Sequence, residues 1–163
     1  MANSLITTLR NPFKFKMFLL KRLPAAFIAG LKLAEIDEEH AVVTVKYKYL
    51  TQNPFRSLYF ACLAMAGELA SGVLSMTQVH ATGLPVSMLV THMEADFTKK
   101  AIGTIRFTCN DGVAIKKVIE ESKATGEGRT IVATSIGIDE AGDQVAVFRI
   151  TWSYKVKSTK YKV

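Results

Sequence analysis

The sequence predicts an α+β domain in which an antiparallel sheet wraps around one long, buried helix. Residues 57–76 are apolar on nearly every side of a helical projection, so other elements must cover such a helix all round. On both sides of this segment, apolar and polar residues alternate with a period of two, which is typical of strands with one buried face. Both kinds of apolar surface are buried together when the sheet curls around the helix.

The first 30 residues are predicted to form a basic helical segment. Asn11-Pro12 suits a helix start, because proline fits the first helical turn, and Pro24 interrupts the pattern. A basic amphipathic helix of this kind can touch a membrane surface, cover a pocket or pack against its own domain, which is the ordinary alternative. Its cationic and apolar residues are Lys14, Lys16, Lys21 and Arg22 with Phe13, Phe15, Phe18 and Leu19.

A hairpin is predicted next, from residues 31–36 and 43–49 with a turn at 37–40, because apolar residues alternate along its second strand. The long helix is predicted over residues 57–76, with Ser57 as its N-cap.

The remainder is predicted to be an antiparallel meander with one inserted polar helix. Gly142 can supply the positive φ that the last turn needs. Asp111 is predicted to cap the inserted helix, and Gly126 to end it. The predicted strands are residues 87–97, 104–109, 130–138 and 144–154, and the inserted helix is 111–122. The core domain is therefore expected over residues 31–154, followed by a basic tail at 155–163, all within a single domain.

Composition restricts the possible functions. The chain has 163 residues, of which 49% are hydrophobic, and a net charge of +7. Its positive charge is dispersed, without arginines interleaved with aromatics, so no nucleic-acid partner is expected. Cys62 and Cys109 lie in apolar stretches and are expected to be buried thiols of a reducing compartment, the cytoplasm. No Cys/His cluster has metal-ligand spacing, and no metal is expected.

Two properties of the long apolar segment bear on partners. It is long enough to span a bilayer, but a carboxylate in its middle is costly in lipid, so a buried helix is preferred and membrane contact is not expected. The N-terminal apolar run is too short for a signal peptide. One sheet covers only part of an all-apolar helix, so a homodimer or homotetramer is expected.

Glu68 is the strongest candidate for chemistry, because it is the only charged residue between positions 57 and 76. Desolvation among apolar neighbours is expected to raise its pKa, which suits a general base or a nucleophile. The alternative is a structural glutamate paired with an Arg or Lys of a neighbouring strand.

Asn53 and the predicted start of the helix form the second candidate. The unpaired N–H groups at a helix N-terminus can hold a developing oxyanion, here near Tyr59, Phe60 and Ala61. The alternative is that Asn53 and Ser57 only shape the turn and cap the helix.

The run from Asn53 to Glu68 resembles the hotdog-fold acyl-CoA thioesterases of the phenylacetic-acid-degradation type. Those proteins carry an Asn, a His-Gly-Gly six residues later, and an Asp or Glu nine residues after the His. The chain keeps that spacing with Asn53, Tyr59 and Glu68, and most resembles the DUF4442 branch, which tolerates an aromatic at the His-Gly-Gly. The order of elements matches the hotdog fold from about Leu31 to Tyr154.

The resemblance implies a role for each of these residues in thioester hydrolysis. Glu68 would activate water or attack the thioester, and the amides of Phe60 and Ala61 would bind its oxygen. Asn53 would line the pocket or orient water. In the family these groups meet across the subunit interface. Tyr59, Phe60 and Ala61 replace His-Gly-Gly, and the bulk of Phe60 would narrow the pocket.

Further candidates come from the same resemblance. Thr91 or His92 would support the water, although a lone His on a strand is more often a surface group. Lys99 and Lys100 fall where relatives bind the phosphates of coenzyme A, but a solvated turn is the alternative. The expected substrate is an acyl-CoA or acyl-carrier thioester, coenzyme A arriving as part of it, with no other cofactor.

Three other functions remain open at this point. Phe60 and Ala61 in place of Gly-Gly favour a non-catalytic acyl-CoA binding module on the same fold. A dehydratase or hydratase would need a His beside Glu68, for which only His92 is available. A membrane-associated structural protein is the third.

Overall fold

The computed structural model describes residues 4–157. Six antiparallel strands form one sheet. The strands are β1 (Lys32–Ile36), β2 (Ala41–Lys46), β3 (Val86–Phe97), β4 (Thr104–Cys109), β5 (Arg129–Ile138) and β6 (Gln144–Val156). Their order across the sheet is β1–β2–β4–β5–β6–β3. The helices are α1 (Ser4–Leu9), α2 (Pro12–Arg22), α3 (Pro24–Ala29), α4 (Phe60–Ala81) and α5 (Gly112–Thr125), with a 3-10 turn at Tyr49–Thr51.

The core lies between α4 and the inner face of the sheet, where α4 packs across β2, β4, β5 and β6. This is the predicted hotdog arrangement of one long helix held by an antiparallel sheet. By length and composition α4 could cross a bilayer, but 67% of its apolar window is buried inside the protein, as for a core helix. Buried hydroxyls tie it to the sheet: Ser75 Oγ lies 2.6 Å from Tyr154 Oη, and Trp152 Nε1 donates to Ser71 Oγ at 2.9 Å.

The start of the long helix differs from the prediction. It begins at Phe60, and its N-cap residue is Tyr59, whose side chain forms no capping hydrogen bond. The sequence predicted Ser57 as the N-cap. The N–H of Leu58 donates to the C=O of Ala101, and that of Tyr59 to the C=O of Thr51. These two long-range bonds hold residues 58 and 59 extended, so the helix cannot start earlier.

The predicted strands are confirmed, with some ends shifted by one to three residues. β2 ends at Lys46 rather than at residue 49, because Thr51 Oγ1 bonds to the backbone at both Lys46 and Lys48 and closes a 3-10 turn. β6 runs to Val156, so Lys155 belongs to a strand and not to the predicted tail. The N–H of Lys157, the next residue, donates to the Pro85 carbonyl. Residues 158–163 of the predicted tail lie outside the described residues.

The N-terminal helices start where the prolines predict. Asn11 caps α2, its Oδ1 accepting the N–H groups of Phe13 and Lys14, both at 3.1 Å. The buried face of α2 places Phe15 and Leu19 in the main core. α3 begins at Pro24.

α5 is confirmed, but its predicted cap is not. Asp111 occupies the N-cap position without a side-chain cap bond, and its Oδ2 accepts the N–H of Thr134 on β5 at 2.7 Å instead. The helix is thereby fastened to the sheet. Gly126 ends it with a φ of 73°.

Both cysteines are free and buried, as predicted. Burial raises the pKa of the Cys62 thiol, and it raises that of Cys109 to about 12. Neither thiol is therefore a nucleophile at neutral pH.

Candidate active site

Glu68 lies on α4, half-buried among apolar side chains. Its carboxylate forms no hydrogen bond or ion pair with any residue from 4 to 157. Desolvation by burial raises its pKa above the usual glutamate range. Residues 4–157 therefore do not contain the alternative arrangement, in which Glu68 pairs with an Arg or Lys of a neighbouring strand.

Two cavities adjoin Glu68, of ≈ 320 Å³ and ≈ 380 Å³. The first lies between α4 and the junction of α2 with α3, and the second lies between α4, the end of α2 and strands β3 and β6. Together they are named the Glu68 cleft. Arg22 borders both, but it is not within ion-pairing distance of the carboxylate. The residues lining the first cavity are Arg22, Leu23, Pro24, Ala25, Ala26, Met65, Glu68 and Leu69. Those lining the second are Phe18, Arg22, Leu23, Glu68, Leu69, Gly72, Met76, Met88 and Trp152.

Gly72 keeps space open beside the carboxylate. It follows Glu68 by one helical turn, and a Cβ there would stand 3.3 Å from Glu68 Oε1 and 3.5 Å from the Trp152 ring. Trp152 is itself fixed by its hydrogen bond to Ser71. The carboxylate thus faces a small gap with a rigid aromatic wall.

Asn53 organises a turn through all of its polar atoms. Its Nδ2 donates to Ser57 Oγ at 3.0 Å and to the Leu58 carbonyl at 3.2 Å. Its Oδ1 accepts the N–H of Phe55 at 3.0 Å and of Ser57 at 3.2 Å. Arg56 within this turn has a φ of 58°, a conformation that a non-glycine residue adopts only where its surroundings hold it. In this chain Asn53 is fully occupied as a turn former and has no group left for water.

Three backbone N–H groups at the start of α4, those of Tyr59, Phe60 and Ala61, are candidate oxyanion donors, and two of them are available. The Tyr59 N–H is engaged with the Thr51 carbonyl at 2.8 Å, which corrects its assignment as an oxyanion donor. The N–H groups of Phe60 and Ala61 have no hydrogen-bond acceptor among the described residues. Phe60 is 57% exposed and packs edge-on against Tyr59 and Phe97.

A third cavity, of ≈ 430 Å³, lies at this helix start. It is named the Phe60 cavity, and Asn53, Tyr59, Phe60, Lys99 and Lys100 are among its lining residues. Glu68 is not. Eight residues along a helix correspond to about 12 Å, so one chain holds the free amides and the carboxylate apart.

Thr91 and His92 lie away from α4. Thr91 is the extra residue of a β-bulge, where β3 shifts register against β6, and its Oγ1 donates to the Thr151 carbonyl at 3.3 Å. Beyond the bulge, Met93 pairs with the buried Ile150 and so faces inward, which turns His92 to the outer face. Within one chain neither residue lines the cavities beside Glu68.

The predicted phosphate-binding lysines differ from each other. Lys99 Nζ bonds to Asp139 at 2.7 Å and Asp143 at 2.6 Å, and these hydrogen bonds raise its pKa. Lys100 forms no ion pair within residues 4–157. Both border the Phe60 cavity, but only Lys100 has a charge free for an anion.

Sequence reasoning identified the walls of the Glu68 cleft only in part. A pocket cover was one alternative for the N-terminal basic helix, and Phe18 and Arg22 of α2 border the cleft. Gly72 follows the lone glutamate of the apolar helix by four residues, which is a second signal. Trp152 comes from a distant part of the chain, and no spacing indicates that it joins them. Residues 4–157 contain no group of three or more His, Cys, Asp or Glu that could hold a metal ion.

Comparison with known proteins identifies a family and a fold. The model of the DUF4442 family, a domain of unknown function, matches residues 13–154. No curated protein matches the sequence significantly. A Pseudomonas aeruginosa protein described as a probable thioesterase has a TM-score of 0.74 at 20% identity, covering 90% of this chain and 97% of its own.

Two further solved structures share the architecture. A Chlorobaculum tepidum protein of unknown function has a TM-score of 0.78 at 15% identity, covering 95% of this chain and 100% of its own. The Escherichia coli PaaI protein of the phenylacetic acid degradation operon has a TM-score of 0.65 at 18% identity, covering 95% and 98%. At these identities the likeness shows the hotdog fold and leaves the chemistry to the residues.

Proposed function

The chain belongs to the DUF4442 family, and from this premise we propose that it hydrolyses acyl thioesters with Glu68 as its catalytic carboxylate. One observation carries the proposal: a half-buried glutamate with no partner among residues 4–157 adjoins an apolar cleft. A buried polar group without a partner costs stability, and such groups concentrate at functional sites. The thioesterase description of a hotdog neighbour points to the same reaction class.

In the proposed reaction Glu68 acts as general base. It takes a proton from a water whose oxygen attacks the thioester carbonyl carbon, giving a tetrahedral oxyanion. The C–S bond then breaks, and the thiol leaves with the proton that Glu68 returns. Burial brings the pKa of the Glu68 carboxyl closer to neutral pH, so Glu68 is a stronger base than an exposed glutamate. Direct attack by Glu68 through an acyl-enzyme is the variant of this mechanism.

The oxyanion is proposed to bind the free N–H groups of Phe60 and Ala61. Oriented amides at a helix start are suited to such charge, because they need no reorganisation during the reaction. In one chain these donors and Glu68 lie about 12 Å apart along α4, so they cannot serve a single carbonyl. A second copy is therefore proposed to bring its Phe60 turn to the Glu68 of the first.

A homodimer of this kind is supported by the exposed edge of the sheet. β3 is an edge strand of 12 residues, and it carries the exposed side chains of Met93 and Phe97. Phe97 also packs against Phe60. A long edge strand with exposed apolar side chains is covered in most native proteins, and a symmetric partner would cover this one.

Coenzyme A is the proposed thiol carrier, with Lys100 as the cation for one of its phosphates, because Lys99 is already paired with two aspartates. The two free, buried thiols support a reducing compartment, and the cytoplasm is proposed.

A non-catalytic acyl-CoA binding module is the second candidate. Phe60 favours it, because this ring is exposed at the helix start where a substrate carbonyl must approach.

The deciding experiment is a thiol-release assay over short, long and aromatic acyl-CoAs. Glu68→Gln keeps the size of the side chain and removes the base, so kcat is expected to fall by about 100-fold or more. The acidic limb of the pH profile should lie above the usual glutamate pKa of about 4.3 in the wild type and disappear in the variant. Glu121→Gln, on exposed α5, is the matched control and should keep full activity.

Unchanged turnover in Glu68→Gln would exclude this carboxylate from the mechanism. Absence of turnover on every acyl-CoA, with binding retained in calorimetry, would select the binding module.

A further inference from the structure

We propose that α2 docks the protein on anionic lipid bilayers through an outward-facing apolar stripe flanked by lysines. The stripe consists of Phe13, Met17 and Leu20, which follow each other at intervals of four and three residues and so share one helical face. Phe13 is 71% exposed and Leu20 is 44% exposed. This face points away from the one that places Phe15 and Leu19 in the core.

Lysines border the stripe on both sides. At about 100° per residue, Lys16 lies on one side of it and Lys14 and Lys21 on the other. All three are exposed. Lys16 Nζ also lies 5.8 Å from the centre of the Phe27 ring, which places that border beside α3. An apolar stripe between cations is the arrangement of helices that lie in a bilayer interface.

Charge favours an anionic bilayer as the occupant. Residues 1–34 contain six basic side chains and no Asp or Glu. These are Arg10, Lys14, Lys16, Lys21, Arg22 and Lys32. Each lysine near an anionic leaflet strengthens binding by several-fold. A second copy fits this face poorly, because a two-fold contact through it would bring lysines against lysines.

Nucleic acid also fits less well than lipid. Backbone phosphates would use the lysines but leave Phe13, Met17 and Leu20 against water or charge. A bilayer accommodates both, since the apolar side chains enter the acyl boundary while the ammonium groups stay at the head groups. α2 is already folded and packed on its domain, so little ordering entropy is lost on docking.

This contact differs from the membrane span considered for α4, and it departs from the expectation of no membrane contact. It also adds to the proposed function, since Arg22 and Leu23 at the end of α2 border the Glu68 cleft. Docking through α2 would bring the mouth of that cleft to the bilayer, whose lipids carry acyl chains. The lipid contact itself does not depend on catalysis.

The test is co-sedimentation of the full chain with vesicles. Vesicles with 30–40% phosphatidylglycerol should bind the protein at least tenfold more tightly than pure phosphatidylcholine, and raising the salt from about 0.1 to 0.5 M should weaken binding strongly. Phe13→Ser with Leu20→Ser should reduce binding by tenfold or more. Lys14→Gln, Lys16→Gln and Lys21→Gln together should reduce it by about 100-fold.

Matched changes on α5 provide the controls. Val113→Ser replaces another exposed apolar residue, and Lys116→Gln, Lys117→Gln and Lys123→Gln remove the same charge. These variants should bind like the wild type, and so should Glu68→Gln, which separates this proposal from the catalytic one. Unchanged Tm values would show that the α2 variants are folded.

Three results would overturn the proposal. The first is no binding to anionic vesicles, and the second is an equal loss of binding in the α5 and α2 variants. The third is binding to duplex DNA that exceeds vesicle binding and is unaffected by the two serines, which would assign the basic face to nucleic acid.

Discussion

The Asn53 turn and the Glu68 cleft are opposite solutions to placing a polar side chain against a hydrophobic core. Asn53 uses its amide oxygen and nitrogen in four or more hydrogen bonds to the turn that it closes. Glu68 is half-buried among mainly apolar side chains and has no partner among the described residues. Both residues belong to the run from Asn53 to Glu68 that resembles the thioesterase motif. Of the two, only Glu68 has side-chain oxygens without a hydrogen-bond partner in residues 4–157. Satisfied hydrogen bonds thus distinguish a side chain that stabilises a turn from one whose polar atoms remain available for the proposed chemistry.

The largest expected effect concerns Asn53, whose side-chain hydrogen bonds are all made within the turn. Asn53→Ala should lower the free energy of unfolding by about 2–4 kcal/mol, because several part-buried donors and acceptors lose their partner. Urea denaturation measures this. Asn53→Asp keeps the acceptor oxygen but loses both Nδ2 donors, so it should lie between the wild type and alanine. A loss below about 0.5 kcal/mol with a large loss of turnover would mean that Asn53 acts in the chemistry instead.

Two glycines of α4 sharpen the contrast between packed and open surroundings. A Cβ on Gly67 would meet the Phe148 ring at 2.7 Å, so Gly67→Ala should destabilise the fold by about 1–3 kcal/mol. At Gly72 the nearest atom would be Glu68 Oε1 at 3.3 Å, at the end of a flexible side chain. Gly72→Ala should therefore gain up to about 1 kcal/mol from helix propensity while reducing kcat/KM by filling the gap.

Thermal unfolding and the acyl-CoA assay on both alanine variants distinguish these cases. Full activity in Gly72→Ala would show that the gap beside the carboxylate is not used by substrate.

The smallest expected effect is a pH-dependent gain of stability in Glu68→Gln. Because burial raises the pKa of Glu68, the native state binds its proton more readily than the unfolded state does. Stability is therefore lost as pH rises from the unfolded pKa of about 4.3 through the raised native pKa, and the loss persists at pH 7. Glutamine removes it, so the variant should have the higher Tm at pH 7, with the difference shrinking below about pH 4.

Tm measurements of wild type and variant from pH 3 to 8 test this sign. A lower Tm of Glu68→Gln at pH 7 would mean that the carboxylate has a stabilising partner in the protein, and the comparison with Asn53 would fail.

Most of the fold was predictable because its elements are encoded locally. Alternation identified β4 residue by residue, and Asn11-Pro12 marked the start of α2. The start of α4 was not predictable, because carbonyls of Thr51 and Ala101 decide it through tertiary hydrogen bonds. Local sequence does not record contacts of that kind.

The candidate site likewise combines one feature that the local sequence shows with several that depend on tertiary contacts. The isolation of Glu68 was visible as one charge in an apolar run. The full occupation of Asn53, the engaged Tyr59 amide and the pairing of Lys99 with Asp139 and Asp143 were not, because each depends on which atoms meet after folding. The faces of Thr91 and His92 were also hidden, since a bulge leaves no clear mark in the sequence.

That bulge gives β3 a position where chain length can change at little cost. One residue more or fewer elsewhere in the strand would turn every following side chain to the opposite face, moving Met93 and Phe97 outward. At Thr91, however, deletion would let Val90 and His92 follow one another in regular register with Trp152 and Thr151. A single-residue deletion in this strand is therefore expected to be tolerated at Thr91, where both halves keep their orientation.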